Sequence, residues 1–159
     1  MRTIVVGYDA TPGSRKALER AAAITRAFSA KLVVVSVEEF APMATPTSMG
    51  AAGLEAGPTF QSYVPQPSAE DYWKGRHDDV RSVLDAYDID YEFAPVLGRP
   101  AWEITHVADE RDADLIVVGT REPGLVDRLL GGSTSGSIAK HAHRDVLIVH
   151  PTHGETHDE

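Results

Sequence analysis

Residues 4–37 read IVVGYDATPGSRKALERAAAITRAFSAKLVVVSV, and the fold follows from the way this stretch changes its period. Ile4-Val5-Val6 is a continuous β-branched run closed by Gly7 and Asp9. A run with no polar face predicts a strand buried on both sides, in the middle of a sheet. After a turn over residues 9–14, Ala17, Leu18, Ala21, Ala22, Ile24, Thr25 and Phe28 recur at helical spacing to about Ser29. Residues 31–37 then repeat the buried-strand pattern after a connection of only a residue or two. The unit is strand, helix, strand, and its crossover is expected to be right-handed.

The alternation continues downstream. Residues 69–87 place Tyr72, Trp73, Val80, Val83, Leu84 and Tyr87 on a helical period, and residues 88–96 read as a half-exposed strand that Pro95 marks as an edge. Gly98-Arg99-Pro100 turns into a helix carrying Ile104, Val107 and Ala108, followed by the apolar run 113–118 and Gly119. A last helix at about 133–143 leads to Val146-Leu147-Ile148-Val149, a fifth strand. The predicted fold is one α/β domain over residues 1–150, a five-stranded, mostly parallel, doubly wound Rossmann-like sheet in an α/β/α sandwich, followed by a polar, disordered tail at 151–159.

Residues 38–68 interrupt this pattern. Prolines at 42, 46, 58, 65 and 67 and glycines at 50, 53 and 57 predict a long mobile loop. A loop of that length is either a lid over a ligand or a passive surface insertion. Tyr72 and Trp73, just beyond it, suit either a ligand cover or a core or interface contact.

Composition narrows the function. Hydrophobic residues at 42% and charged residues at 25% are the balance of an ordinary globular domain. A formal net charge of −9 repels phosphate backbones and anionic lipid surfaces, which argues against nucleic acid as a partner. No run approaches the roughly 20 apolar residues of a spanning helix, and no signal-length apolar core follows Met1, so membrane insertion is not expected. The absence of cysteine removes disulfides, thiolate metal sites and cysteine nucleophiles, and fits a cytoplasmic protein.

Neither His141 with His143 nor His150 with His153 and His157 has a partner at metal-ligand spacing, so no protein-held metal site is expected. No Gly-x-Ser-x-Gly elbow or P-loop lysine occurs, and no catalytic residue is assigned. At most, weak hydrolysis of a bound nucleotide is expected.

In open α/β sheets the ligand crevice lies beyond the carboxyl ends of the strands, where the strand order reverses. Those ends carry Gly7-Tyr8-Asp9, Ser36-Val37 and Gly119-Thr120. Downstream, Gly131-Gly132-Ser133-Thr134-Ser135 opens a helix, where glycines admit a phosphate and unpaired N–H groups and hydroxyls donate to it. The same residues also suit a plain helix cap, and Asp9 before Thr11-Pro12-Gly13-Ser14 suits a turn cap as well as a ligand contact.

Gly119, two residues, a third position, nine residues, then Gly132-Ser133 resembles the glycine motif of the universal stress protein family. Ile4 to Asp9, Gly98-Arg99-Pro100-Ala101, the run from Ala113 to Gly119 and the run from Asp145 to His150 extend the resemblance over nearly the whole chain. It implies an adenine nucleotide ligand, with Asp9 near the ribose or a phosphate-bound magnesium and the Val37 backbone on the adenine edge. Tyr8 and Ala10 flank Asp9 in that site, while Gly119, Thr120, Arg121, Gly132, Ser133, Thr134 and Ser135 line ribose and phosphates.

Glu122 stands where the family carries its second glycine, and its charge faces the expected phosphate position beside Arg121. ATP, with Mg2+, is therefore followed closely by AMP, and cyclic AMP stays open. The resemblance also implies a homodimer through the 145–150 strand and a nucleotide-responsive stress role with a protein partner still to be identified. The alternatives are a dimeric interaction module without nucleotide, or a slow magnesium-dependent ATPase.

Overall fold

The computed structural model describes residues 1–39, 68–120 and 133–150. Most of the loop expected at 38–68, the segment 121–132 and the tail 151–159 lie outside the described residues. The elements run β1 (Thr3–Gly7), α1 (Pro12–Phe28), β2 (Lys31–Glu38), α2 (Ala69–Leu84), β3 (Tyr91–Leu97), α3 (Pro100–Glu110), β4 (Leu115–Gly119), α4 (Thr134–His141) and β5 (Asp145–Val149).

The strands form one five-stranded sheet in the order β3-β2-β1-β4-β5, and every pairing is parallel. β1 is central, as its unbroken apolar run predicts, and Ile4, Val5 and Val6 are fully buried. β3 lies at an edge with Pro95 level with Ser36. An edge strand tolerates the missing N–H that a central strand would need for its ladder.

Alternate residues of each inner strand serve different cores. Ile4, Val6, Leu32, Val34 and Val117 pack on Leu18 and Ala22 of α1 and on Val80 and Leu84 of α2. Val5, Val33, Val35, Ile116 and Val118 face Ile104 and Val107 of α3 and Ile138 of α4. The helices of strands added to one side of β1 thus cover one face and those added to the other side cover the opposite face. A single crossover hand requires that arrangement, and it opens a crevice at the carboxyl ends of β1 and β4.

Element ends differ from the periodicity by a few residues, for local reasons. α1 starts at Pro12 inside the expected 9–14 turn, because Thr11 caps it, accepting from the Ser14 N–H at 3.2 Å, and Pro12 opens the helix without needing a donor. α2 stops at Leu84, short of Tyr87, and α4 stops at His141.

Candidate functional site

The β1–α1 connection is a compact hydrogen-bonded knot. Asp9 Oδ1 accepts from the Thr11 N–H at 3.1 Å and from the Thr11 hydroxyl at 2.6 Å. The Asp9 N–H donates to Ser14 Oγ at 3.3 Å. To make this turn Ala10 adopts a φ of 63°, a left-handed conformation that a β-carbon disfavours. Asp9 therefore does cap the turn, and its half-buried carboxylate also lines the crevice.

Gly119 ends β4 against the first turn of α1. A β-carbon there would stand 2.2 Å from the Gly13 carbonyl oxygen, and one on Gly13 would stand 1.9 Å from the Thr120 carbonyl oxygen. The two glycines let helix and strand end touch backbone to backbone, which sets the crevice floor before any ligand arrives. Thr120 is buried beside this contact, its N–H donating to the Val149 carbonyl at 3.0 Å.

On the far side of β4, Ser133 caps α4, accepting from the Gly136 N–H at 3.1 Å, and its hydroxyl lies 3.5 Å from that of the buried Ser135. The first turn of α4 thus presents hydroxyls and the positive end of its dipole to the crevice.

A cavity of about 550 Å³ occupies the crevice. Of the residues expected from sequence, Tyr8, Asp9, Val37, Gly119, Ser133, Thr134 and Ser135 line it. Ala10 shapes the turn beside it and Thr120 sits behind Gly119, so neither is in the lining. Arg121, Glu122 and Gly132 lie outside the described residues.

The structure adds a wall made of Glu38 at the end of β2, Glu39 after it, and Arg76 with Tyr72 on α2; of these, sequence reasoning offered only Tyr72, as a ligand cover or a core contact. Two signals point to it in the sequence. The carboxylates directly follow Val37 at a strand's carboxyl end, and Arg76 stands four residues after Tyr72, on the same helix face.

Two side-chain chains hold α2 in place. The buried Tyr8 hydroxyl donates to Asp79, and Arg15 Nη2 donates to the same carboxylate at 2.6 Å. Burial, then the bond to Asp79, pushes the Tyr8 phenol far above its ordinary pKa. Burial alone would raise Asp79, but the bonds from Tyr8 and Arg15 outweigh it and hold the carboxyl below its usual value. In the second chain Tyr72 donates to Glu38, and burial followed by that bond raises the Tyr72 phenol.

Among the described residues no three His, Asp or Glu side chains converge to hold a metal ion, and no helix is long and apolar enough to cross a membrane.

These features define a doubly wound α/β protein with a polar cavity at its strand-order reversal. The universal stress protein family model matches residues 1–150, and the chain belongs to that family. Universal stress protein Rv1636 of Mycobacterium tuberculosis is 32% identical over 151 residues, covering 95% of this chain and 97% of the relative. The crystal structure of Rv1636 overlays with a TM-score of 0.54 at 29% identity, covering 95% of this chain and 96% of that one. A universal stress protein crystallised in complex with cAMP overlays with a TM-score of 0.68 at 26% identity, covering 95% of this chain and 98% of that one.

Proposed function

We propose that this protein binds an adenine nucleotide in the crevice, ATP first with AMP close behind, and that binding alters a surface read by a protein partner. The observation that carries the reading is the cavity itself. At about 550 Å³ it falls within the roughly 300–1,000 Å³ range of small-molecule sites, and it lies at the strand-order reversal against the first turn of α4. Phosphate oxygens take the hydroxyls of Ser133 and Ser135 and the dipole of α4. The cAMP complex of a relative supports an adenine nucleotide as the chemical class.

The described residues offer magnesium the Asp9 carboxylate rather than a cage, which fits an ion that arrives on the phosphates of ATP and is bridged to the protein. Thr120 and Ala10 support the site from behind. Arg121, Glu122 and Gly132 complete the phosphate loop in this reading, and Glu122 weakens the hold on a bare triphosphate.

Residues 1–150 act as one cytoplasmic domain that pairs with a second copy through β5. That strand is an edge of the sheet, and Val146, Leu147, Ile148 and Val149 on it are only half-buried. An apolar unpaired edge is a pairing template. Light scattering should give a dimer mass.

The ligand test is direct. Nucleotide released on denaturation is identified by mass, and ATP, AMP and cyclic AMP are titrated with and without Mg2+. Micromolar binding that Asp9→Ala lowers at least tenfold, with unchanged circular dichroism, is expected. Absence of binding by all three nucleotides overturns the reading in favour of a dimeric interaction module.

A further inference from the structure

A second, smaller cavity of about 190 Å³ lies between α3 and α4, away from the crevice, with Arg99, Trp102 and Thr105 on one side and Ser137 and His141 on the other. Trp102 is 61% exposed there, more than any other large apolar side chain among the described residues. Its ring stacks on His106, with centres 4.9 Å apart and 18° between the planes, which fixes the indole while leaving most of it in water. Neither the indole N–H nor the Arg99 guanidinium has a partner among the described residues. A fixed, exposed tryptophan beside an unpaired arginine has the composition of a contact surface.

Charge says what suits that surface. Arg99 and His141 are the ionisable groups of the groove, and no carboxylate among the described residues lines it. Glu103, the neighbour of Trp102 on α3, carries its carboxylate back over Gly98, where an added β-carbon would stand 2.1 Å from Oε1. The groove is thus a basic and aromatic spot on a chain with 24 acidic against 15 basic residues, and its complement is an acidic segment. A separate acidic protein is repelled by the field of the whole chain as it approaches, whereas a segment of the same chain is already present at high effective concentration.

Residues 151–159 read PTHGETHDE and carry Glu155, Asp158 and Glu159 with no lysine or arginine. They follow β5 at its carboxyl end, the end of the parallel sheet at which α3 also begins. α4 packs beside both β5 and α3, so about one helix width, roughly 10–12 Å, separates the end of β5 from the groove. Extended chain covers about 3.3 Å per residue, so the acidic positions 155–159 reach Arg99 with length to spare. We propose that residues 151–159 dock in the α3–α4 groove of their own chain, with the acidic side chains on Arg99 and the segment over the Trp102 ring. The inference does not depend on what the crevice binds.

The chain has two tryptophans, so Trp73→Phe leaves Trp102 as the sole indole, and acrylamide quenching of its fluorescence in the full chain reads how well it is covered. In that background, Glu155→Gln with Asp158→Asn and Glu159→Gln, or Arg99→Gln alone, should raise the quenching constant about twofold, because docking held by a few exposed charge contacts is lost with them. High salt should raise it in the parent and leave the variants unchanged. Unchanged circular dichroism shows that the variants keep the fold. A quenching constant equal in the parent and in the variant neutralised at 155, 158 and 159 overturns the docking. Protection of Trp102 that survives this neutralisation and grows with protein concentration also overturns it, since a second copy then covers the groove.

Discussion

The two walls of the crevice are built by different physics. On the α1 and β4 side, Gly13 and Gly119 bring backbone against backbone, and Thr11 and Ser133 cap the helices that start there. On the α2 side, position depends on side chains that reach across the chain: Tyr8 to Asp79, Arg15 to Asp79, and Tyr72 to Glu38. The first wall yields only if main chain moves. The second is held by polar bonds to partly exposed carboxylates, so it responds to pH and to single side-chain changes.

The first wall should therefore break hardest. A methyl on Gly119 points at the Gly13 carbonyl, which has no rotamer to escape into, so helix and strand must separate. Gly119→Ala is expected to cost about 3 kcal/mol and to lower the melting temperature by about 10 °C. A melting temperature within 2 °C of wild type, measured by scanning calorimetry, would show that the contact is not rigid.

Asp79→Ala tests the second wall and should cost less, about 2 kcal/mol, because it strips the buried Tyr8 hydroxyl of its acceptor. The pH dependence gives the comparison its sign. The folded-state pKa of Asp79 is depressed, so its contribution is present above the unfolded carboxyl value near 4 and fades as pH falls through the lower folded value. Denaturant melts should show the gap between wild type and Asp79→Ala full at pH 6 and shrinking below about pH 4. A gap that stays constant to pH 3 would assign the loss to packing instead.

The same contrast explains what the sequence made legible. The apolar runs at 4–6 and 32–35 and the glycine and serine positions of the first wall act over a few residues, so period and capping rules found the strand order's centre and the starts of α2, α3 and α4 to within a residue. The strand-end rule places Val37 on the cavity, and the glycine and serine cluster at a helix start places Ser133 there. Arg76 is not placed there, because helical spacing says which face it shares with Tyr72 but not that the face meets Glu38, 38 positions earlier in the chain at the end of β2. Pairings at that sequence separation leave no local pattern. The helix ends slipped for a related reason, since Thr11 competes with the turn and takes Pro12 into the helix.

The smallest expected effect has the opposite sign and falls at the first wall's one strained joint. Ala10 is exposed and sits at a φ of 63°, where its β-carbon crowds the following carbonyl, and this turn lets the Asp9 carboxylate reach forward to accept from the Thr11 N–H. Glycine occupies that conformation without the clash but gains freedom in the unfolded chain, and the two effects partly offset. Ala10→Gly is expected to stabilise the protein by about 0.5 kcal/mol, visible as a small rise in the denaturant midpoint with an unchanged slope. A fall in the midpoint would mean that the unfolded chain's entropy outweighs the strain, and the turn that presents Asp9 would then be held by the Thr11 and Ser14 bonds at little conformational cost.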